Sequence, residues 1–283
     1  MTALPHDLSE TVSRALAEDV GTGDVTAALL SPDAISRARV VAREEAVLCG
    51  TAWFDEVFRQ LDPTARVEWD AADGDAIATG QVLCRLVGPS RALLTGERTA
   101  LNFLQTLSGT ATSARRFAEA VGHTRARILD TRKTLPGLRS AQKYATRCGG
   151  CTNHRLGLYD MVLIKENHIL AAGSIDAAVA RAHQLHPGLT VEVEVEDLRE
   201  LEEALTSGAD IVLLDNFDLA GLRAAVATAA GRAKLEASGN VDLASVAAVA
   251  ETGVDYISVG AITKHVRAVD LSMRFLSDSE HRK

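Results

Sequence analysis

No apolar run in the chain approaches 18 residues, which excludes a membrane-spanning helix. The start, M-T-A-L-P-H-D-L-S-E, has no basic stretch followed by an apolar one, so no secretory signal is expected. A cytoplasmic protein without a membrane partner is the expectation. Aromatics are only 4% of the chain, against 47% apolar residues in all. Such a core is filled by Ala, Val and Leu, as where helices pack on parallel strands. Only four cysteines occur, Cys49, Cys84, Cys148 and Cys151. Their number and scatter do not suggest a disulfide framework. Cys148 and Cys151 form a lone C-x-x-C, with no fourth metal ligand and no thioredoxin-like context evident. The intervening Gly149-Gly150 is read instead as letting backbone approach a ligand closely.

At 283 residues the chain fits one large or two modest domains. Residues 7–18 suit an amphipathic helix with Leu8, Val12, Ala15 and Leu16 as its stripe and Asp7 or Ser9 as its cap. Residues 37–48 suit a strand, 52–61 a helix, and 67–69 and 81–87 further strands. This is an α+β module of about 100 residues. Residues 90–121 read as a helix broken near Ser108-Gly109-Thr110, with Leu94, Leu101, Leu104 and Leu107 buried. From 126 on, strand and helix alternate. Strands are expected at 126–129, 161–164, 190–195, 210–214, 234–237 and 255–259, with helices at 138–147, 174–185, 197–206, 218–230 and 242–252. That rhythm predicts a TIM-like α/β barrel, incomplete and about seven-stranded. A doubly wound sheet is the competing topology, but no Gly-rich dinucleotide turn appears. The last apolar segment, 269–276, alternates like a strand.

A cationic island stands out within an acidic chain. The whole sequence has 38 Asp and Glu against 30 Lys and Arg. Yet residues 132–165 hold seven basic residues and one acid, Asp160. Focused positive charge of this kind suits a small, highly charged anion and argues against nucleic acid, which meets a broad basic surface. Asp130 and Lys165 close expected strands, where βα chemistry gathers. Further polar residues stand at later strand ends: Glu194, Asp215, Ser238-Gly239-Asn240 and Ser258-Val259-Gly260. The run T-V-E-V-E-V-E puts Glu192, Glu194 and Glu196 on one strand face. Buried glutamates need cations or hydroxyls as partners. Two carboxylates and two small-residue turns suit the hydroxyls, metal and phosphate of a ribose 5-phosphate.

T-R-K-T-L-P-G-L-R, N-H-R-L-G-L-Y-D and L-I-K-E-N-H, with E-D-x-G-x-G-D-x-T and G-E-R-T-A-L-N-F-L-Q earlier, resemble the quinolinate phosphoribosyltransferase family over nearly the whole chain. The resemblance implies an N-terminal α+β sandwich domain, residues 1–108, joined by the C-terminal residues 267–283, and a barrel over 109–266. It implies that quinolinate and 5-phosphoribosyl 1-pyrophosphate become nicotinate mononucleotide, pyrophosphate and carbon dioxide, with magnesium. Arg132, His154 and Arg155 would hold the pyridine dicarboxylate, and Thr131 is a further substrate-binding candidate. Arg98 would join them from a neighbouring subunit, which requires a homodimer or a higher oligomer. Lys133 and Lys165 would lie between that group and the pyrophosphate, with Arg139 at the pyrophosphate end. Glu194 and Asp215 would take ribose hydroxyls and magnesium. Ser238, Gly239, Asn240, Ser258, Val259 and Gly260 would take the 5-phosphate, with His265 nearby. Lys133, Lys165, Glu194 and Asp215 are the catalytic candidates.

Taken without the resemblance, Arg98 reads as an exposed helix arginine, His154 as a core or helix-end histidine, and Lys165 as a structural lysine. A lysine closing a barrel strand also suits a Schiff-base aldolase. A molybdenum-transport-associated branch of the same scaffold, with another substrate, is a second rival. One departure from the family pattern is visible: its three glycines before N-H-R read Gly149-Gly150-Cys151 here.

Overall fold

The computed structural model describes residues 3–276. In chain order the elements are α1 (Leu8–Val20), a 3-10 turn (Ala27–Leu29), β1 (Ile35–Ala42), β2 (Ala46–Val47), α2 (Thr51–Leu61), β3 (Arg66–Trp69), β4 (Ala76–Ile77), β5 (Val82–Pro89) and α3 (Ser90–Ala120). Then come β6 (Arg127–Leu129), α4 (Arg139–Cys148), β7 (Val162–Ile164), α5 (Glu166–Ala172), α6 (Ile175–Leu185), β8 (Val191–Val195), α7 (Leu198–Thr206) and β9 (Ile211–Asp215). The chain ends with α8 (Leu219–Ala229), β10 (Lys234–Ser238), α9 (Val246–Ala250), β11 (Tyr256–Ser258), α10 (Ala261–Lys264) and β12 (Leu271–Phe275). Two compact units result. One takes the described residues up to Arg115, Leu135–Gly150 and the described residues from His265 on; the other takes Arg116–Thr134 and Cys151–Lys264.

The first unit is built on an antiparallel sheet ordered β12-β1-β5-β3. Strand β5 shows why it forms: Cys84, Leu86 and Gly88 are buried while Arg85 and Val87 face out, the period of a half-buried strand. Its core collects Trp53, Phe54, Val57 and Phe58 from α2 with Leu93, Leu101, Leu104 and Leu107 from α3. Ala141, Tyr144 and Ala145 of α4 also pack in this core, which is why residues 135–150 group here. Leu94, expected to be buried, is 40% exposed. Asp7 precedes α1 without capping it; its carboxylate accepts the Ser140 hydroxyl at 2.6 Å instead. The expected strand 37–48 breaks in two around Glu44, whose carboxylate accepts Asp270 N at 2.8 Å and the Arg267 guanidinium at 2.7 Å.

Helix α3 runs through Ser108-Gly109-Thr110 without the expected break. Gly109 is a packing residue: a Cβ there would lie 2.1 Å from Arg267 O, so only glycine admits the C-terminal segment. That segment is tied down by Val269 N to Gln105 O at 3.0 Å. Gly149 has a similar reason. A Cβ on it would lie 2.4 Å from Ala111 O of α3, so its close approach is to a helix, in place of the expected ligand.

The second unit is one parallel sheet in the order β6-β11-β10-β9-β8-β7. Strands β7 to β11 lie side by side in sequence order, and the last of them pairs with the first strand of the unit, β6. That is barrel order, left open between β6 and β7. Six strands pair where about seven were expected. The seventh place holds a single bridge, Thr152 beside Leu129. The segment around it, G-C-T-N-H-R, spends its polar side chains on other partners and has no alternation to sustain a strand. The outer helices begin at local caps, as Ser174 accepts Ala177 N at 3.1 Å, Asp197 accepts Glu200 N at 2.8 Å and Asp218 accepts Gly221 N at 2.7 Å. Helix α5 was not anticipated. No helix among the described residues is long and apolar enough to cross a membrane.

Candidate active site

The carboxyl ends of the six parallel strands carry the polar residues. Strand β6 leads into Thr131, Arg132 and Lys133, and β7 leads into Lys165. Glu194 lies near the end of β8, and Asp215, Ser238 and Ser258 end β9, β10 and β11. Ser238 stands opposite Asp215, and Ser258 opposite Leu129. In a parallel sheet such ends share one rim, so residues far apart in sequence are brought together.

Specific contacts knit this rim. Lys165 Nζ forms an ion pair with Glu194 Oε2. Lys133 N donates to Thr131 Oγ1 at 3.1 Å, and Thr263 Oγ1 donates to Lys133 O at 2.9 Å. A Cβ on Gly260 would lie 3.1 Å from Lys133 Cδ and 3.5 Å from Thr131 Oγ1. The 258–260 turn is therefore in contact with the side chains that follow β6. At the next corner Asn216 N donates to Ser238 O at 2.9 Å and its Nδ2 to Asp215 Oδ2 at 2.8 Å. Asn216 (φ 56°), Gly239 (φ 113°) and Asn240 (φ 49°) all adopt left-handed backbone there. A side chain at Gly239 is barred, since a Cβ would lie 2.3 Å from Asn216 Oδ1. Backbone so constrained gathers at ligand-binding turns.

Two arginines complete the cationic side. Burial, and then the charge of Arg132, hold the Arg155 guanidinium below its usual pKa. Arg132 Nε is buried with no hydrogen-bond partner. Two neighbouring guanidiniums are relieved by a bidentate anion such as a carboxylate.

Beneath the rim lies a buried polar cluster. Glu192 and Glu236 are fully buried, and His154 Nε2 lies 3.0 Å from Glu192 Oε2 and 3.5 Å from Glu236 Oε2. Burial, and then the charge of Glu192, push the Glu236 carboxyl well above the usual carboxylate range. Ser258 Oγ donates to Glu236 Oε1. Asp130, also fully buried, accepts Asn153 Nδ2 at 2.6 Å and His154 N at 2.9 Å. Arg155 N donates to His154 Nδ1 at 2.7 Å, which leaves the ring proton on Nε2. This tautomer argues against a metal in the trio, because a metal on Nε2 needs the proton on Nδ1. Both ring nitrogens of His154 are thus engaged inside the barrel, and the Ser258 hydroxyl points the same way.

Glu194 and Asp215 are a different pair. They are partly exposed, lie on adjacent strands and offer hard carboxylate oxygens. That donor set fits magnesium, which keeps several waters and shares phosphate oxygens with one or two carboxylates.

Three expected site residues belong to the first unit. Arg98 is exposed on α3, Arg139 opens α4 half-buried, and His265 is exposed just after α10. Sequence reasoning assigned no role to Asp130, Asn153, Glu192, Asn216 or Glu236. For Glu192 a signal existed, since the E-V-E-V-E run already set it on the face of Glu194. Glu236, in K-L-E-A-S, stands alone and has no comparable signal.

The quinolinate phosphoribosyl transferase N-terminal domain family matches residues 24–108, and the C-terminal domain family matches residues 110–274. A Bacillus subtilis relative, named "probable nicotinate-nucleotide pyrophosphorylase (carboxylating)", is 42% identical over 257 residues, covering 90% of this chain and 89% of the relative. A chloroplastic nicotinate-nucleotide pyrophosphorylase (carboxylating) of Oryza sativa subsp. japonica is 40% identical over 290 residues, covering 95% and 78%. The solved nicotinate-nucleotide pyrophosphorylase of Francisella tularensis superposes with a TM-score of 0.94 at 47% identity, covering 97% of this chain and 98% of that one.

Proposed function

We infer the workings of the site from one premise: the chain belongs to the quinolinate phosphoribosyltransferase family. It is a pentosyltransferase of NAD biosynthesis, which moves phosphoribose from 5-phosphoribosyl 1-pyrophosphate to quinolinate with loss of carbon dioxide. Neither an aldolase nor a transferase of the molybdenum-associated branch finds support among the relatives.

The roles of individual residues are our proposal. One observation carries them: Arg132, Lys133, Arg155 and Lys165 stand around the same strand-end rim as Glu194 and Asp215. Quinolinate brings two carboxylates, which suit the Arg132 and Arg155 forks. His154 acts through its neighbour, since its Nδ1 anchors the Arg155 backbone. Lys133 and Lys165 lie between the diacid and the pyrophosphate. The turns at Ser238–Asn240 and Ser258–Gly260 present backbone to the 5-phosphate. Arg139 and His265 belong to the same reading, at the pyrophosphate and phosphate ends.

The chemistry needs no protein nucleophile. Pyrophosphate leaves the sugar with its bonding electrons, an oxocarbenium-like ribose forms, and the pyridine nitrogen attacks it. The quaternised ring then accepts the electron pair released as the 2-carboxylate departs. Fixed cations stabilise the departing charge, and the rim holds the two reactants in line. Glu194 and Asp215 would hold magnesium, whose charge helps neutralise the pyrophosphate. Lys165, paired to Glu194, forms no imine in this scheme. A cytoplasmic location fits substrates of such high charge, which do not cross bilayers unaided.

The exposed Arg98 completes the site of a neighbouring subunit in this reading, so the active form is at least a dimer. Co-expression of Arg98→Ala and Lys133→Ala chains tests this. Half the dimers would be mixed, each with one intact site, restoring about a quarter of wild-type activity. A mixture as inactive as its components overturns the shared site. The overall reading is tested by incubating the protein with both substrates and magnesium while following carbon dioxide and nicotinate mononucleotide. Neither product should form without quinolinate.

A further inference from the structure

The C-x-x-C at Cys148 drew attention in the sequence, but within its own unit the structure gives Cys148 a different thiol partner. Cys49 lies between β2 and α2, and its side chain is fully buried. Its backbone is fixed by one hydroxyl: Ser108 Oγ accepts from Cys49 N at 2.9 Å and donates to Cys49 O at 3.2 Å. Cys148 is the last residue of α4 and is half-buried. The two sulfurs lie within 4.8 Å of each other. The Asp73 carboxylate is close as well, and its oxygen and the two sulfurs all lie within 4.8 Å of one another.

That trio has the elements of a metal site, but Asp73 is already committed. Its Oδ1 accepts Gly50 N at 3.0 Å and Thr51 N at 3.1 Å, and its Oδ2 accepts the Tyr144 hydroxyl at 2.8 Å. Three strong donors occupy most of the lone-pair directions of one carboxylate. Tyr144 lies one helical turn before Cys148, on the same face of α4. The carboxylate and phenol therefore act as a brace that holds the turn before α2 against α4. What remains unbraced and reactive is the sulfur pair.

We propose that Cys49 and Cys148 are a disulfide-forming pair, oxidised by a small-molecule disulfide of the glutathione type. The Cys148 thiolate attacks one sulfur of the small disulfide, breaks its S–S bond and expels a thiolate, leaving a mixed disulfide on Cys148. The Cys49 thiol gives its proton to that small thiolate, attacks the Cys148 sulfur and expels the second half of the reagent as a thiolate, which takes up from water the proton Cys148 had released. Two protein thiols are oxidised and one small disulfide is reduced to two thiols. The division of labour follows from position. Cys148 is the thiol solvent reaches, and the neighbouring Cys49 thiol holds it below the ordinary cysteine pKa. Cys49 is enclosed and pushed up by burial, so it is the resolving thiol.

The full chain is incubated with oxidised glutathione, quenched with iodoacetamide, digested and mapped by mass spectrometry. The expected result is a Cys49–Cys148 linked peptide and loss of two of the four titratable thiols. Cys49→Ser should stop at a glutathione adduct on Cys148. Cys148→Ser, which keeps the buried thiol in place, should lose no thiol pair and form no internal link. The proposal is overturned if wild-type protein retains a stable adduct on Cys148, if the link joins Cys148 to any other cysteine, or if all four thiols survive. It is equally overturned if zinc alone remains bound through dialysis at one ion per chain and shields both thiols, which would make the trio a metal site.

Discussion

Along β8 and just past its end three glutamates stand two residues apart, and each meets a different medium. Glu192 is fully buried beside His154 and Glu236. Glu194 has a side chain 20% exposed and paired with Lys165 at the rim. Glu196 is exposed. The same residue type is thus a buried carboxyl, an ion-paired rim carboxylate and a solvated charge within about 14 Å of chain. A parallel barrel strand runs from a closed interior to an open mouth, and the cost of a charge falls along the way. Below the mouth, a carboxyl has only protein neighbours to offset its burial. At the mouth it can wait for a ligand.

If that contrast holds, substitutions at the two depths should fail in different ways. The largest effect is expected at the rim. Lys133→Ala should lower kcat about 10²- to 10³-fold, on the order of 3–4 kcal/mol of barrier. The quinolinate KM should stay within about threefold, because a group acting on the departing charge differs from one binding the ground state. Steady-state kinetics with both substrates measure this, and an unchanged kcat removes Lys133 from the mechanism. Next comes the interior. Glu192→Ala should cost about 2 kcal/mol of stability, read by urea unfolding, since it opens a cavity beside His154. A variant as stable as wild type would mean that the buried cluster holds nothing together.

A subtler difference between the depths is its pH dependence. The Glu236 carboxyl is raised in the folded state, so the native protein holds a proton that the unfolded chain releases near pH 4.5. Its contribution is intact below that value and declines as pH rises toward the folded pKa, by at most about 1.4 kcal/mol per pH unit. Glu236→Gln should flatten this decline in unfolding midpoints measured from pH 4.5 upward. An identical profile would show that the proton is not on Glu236. The smallest effect is expected at Glu196, where Ala should change stability by less than about 0.5 kcal/mol and leave kinetics unaltered.

Much of this was legible along the chain because its signals are local. Period-2 and period-3.6 patterns placed the six barrel strands and most helices within a residue or two, while of the seven Lys and Arg over 132–165 only Arg132, Lys133, Arg155 and Lys165 belong to the barrel unit, the other three standing on α4 in the first unit. Cap residues such as Asp197 and Asp218 stand where each helix begins. Other features are illegible locally because they are contacts between distant segments. Gly109 resembles a helix breaker until the C-terminal carbonyl it accommodates is seen. No position was expected for a seventh strand, and Thr152 supplies only a single bridge beside Leu129 while Asn153 and His154 are spent on Asp130.

Periodicity, charge and motif sufficed for the elements, their order, the family and the cations proposed for the site. Each of those is written in residues close together along the chain. Which glutamate is enclosed, which nitrogen of His154 keeps its proton and which thiol lies beside Cys148 were settled by packing. Those outcomes rest on distances between segments that share no local pattern, and burial sets their energy only once the segments have met.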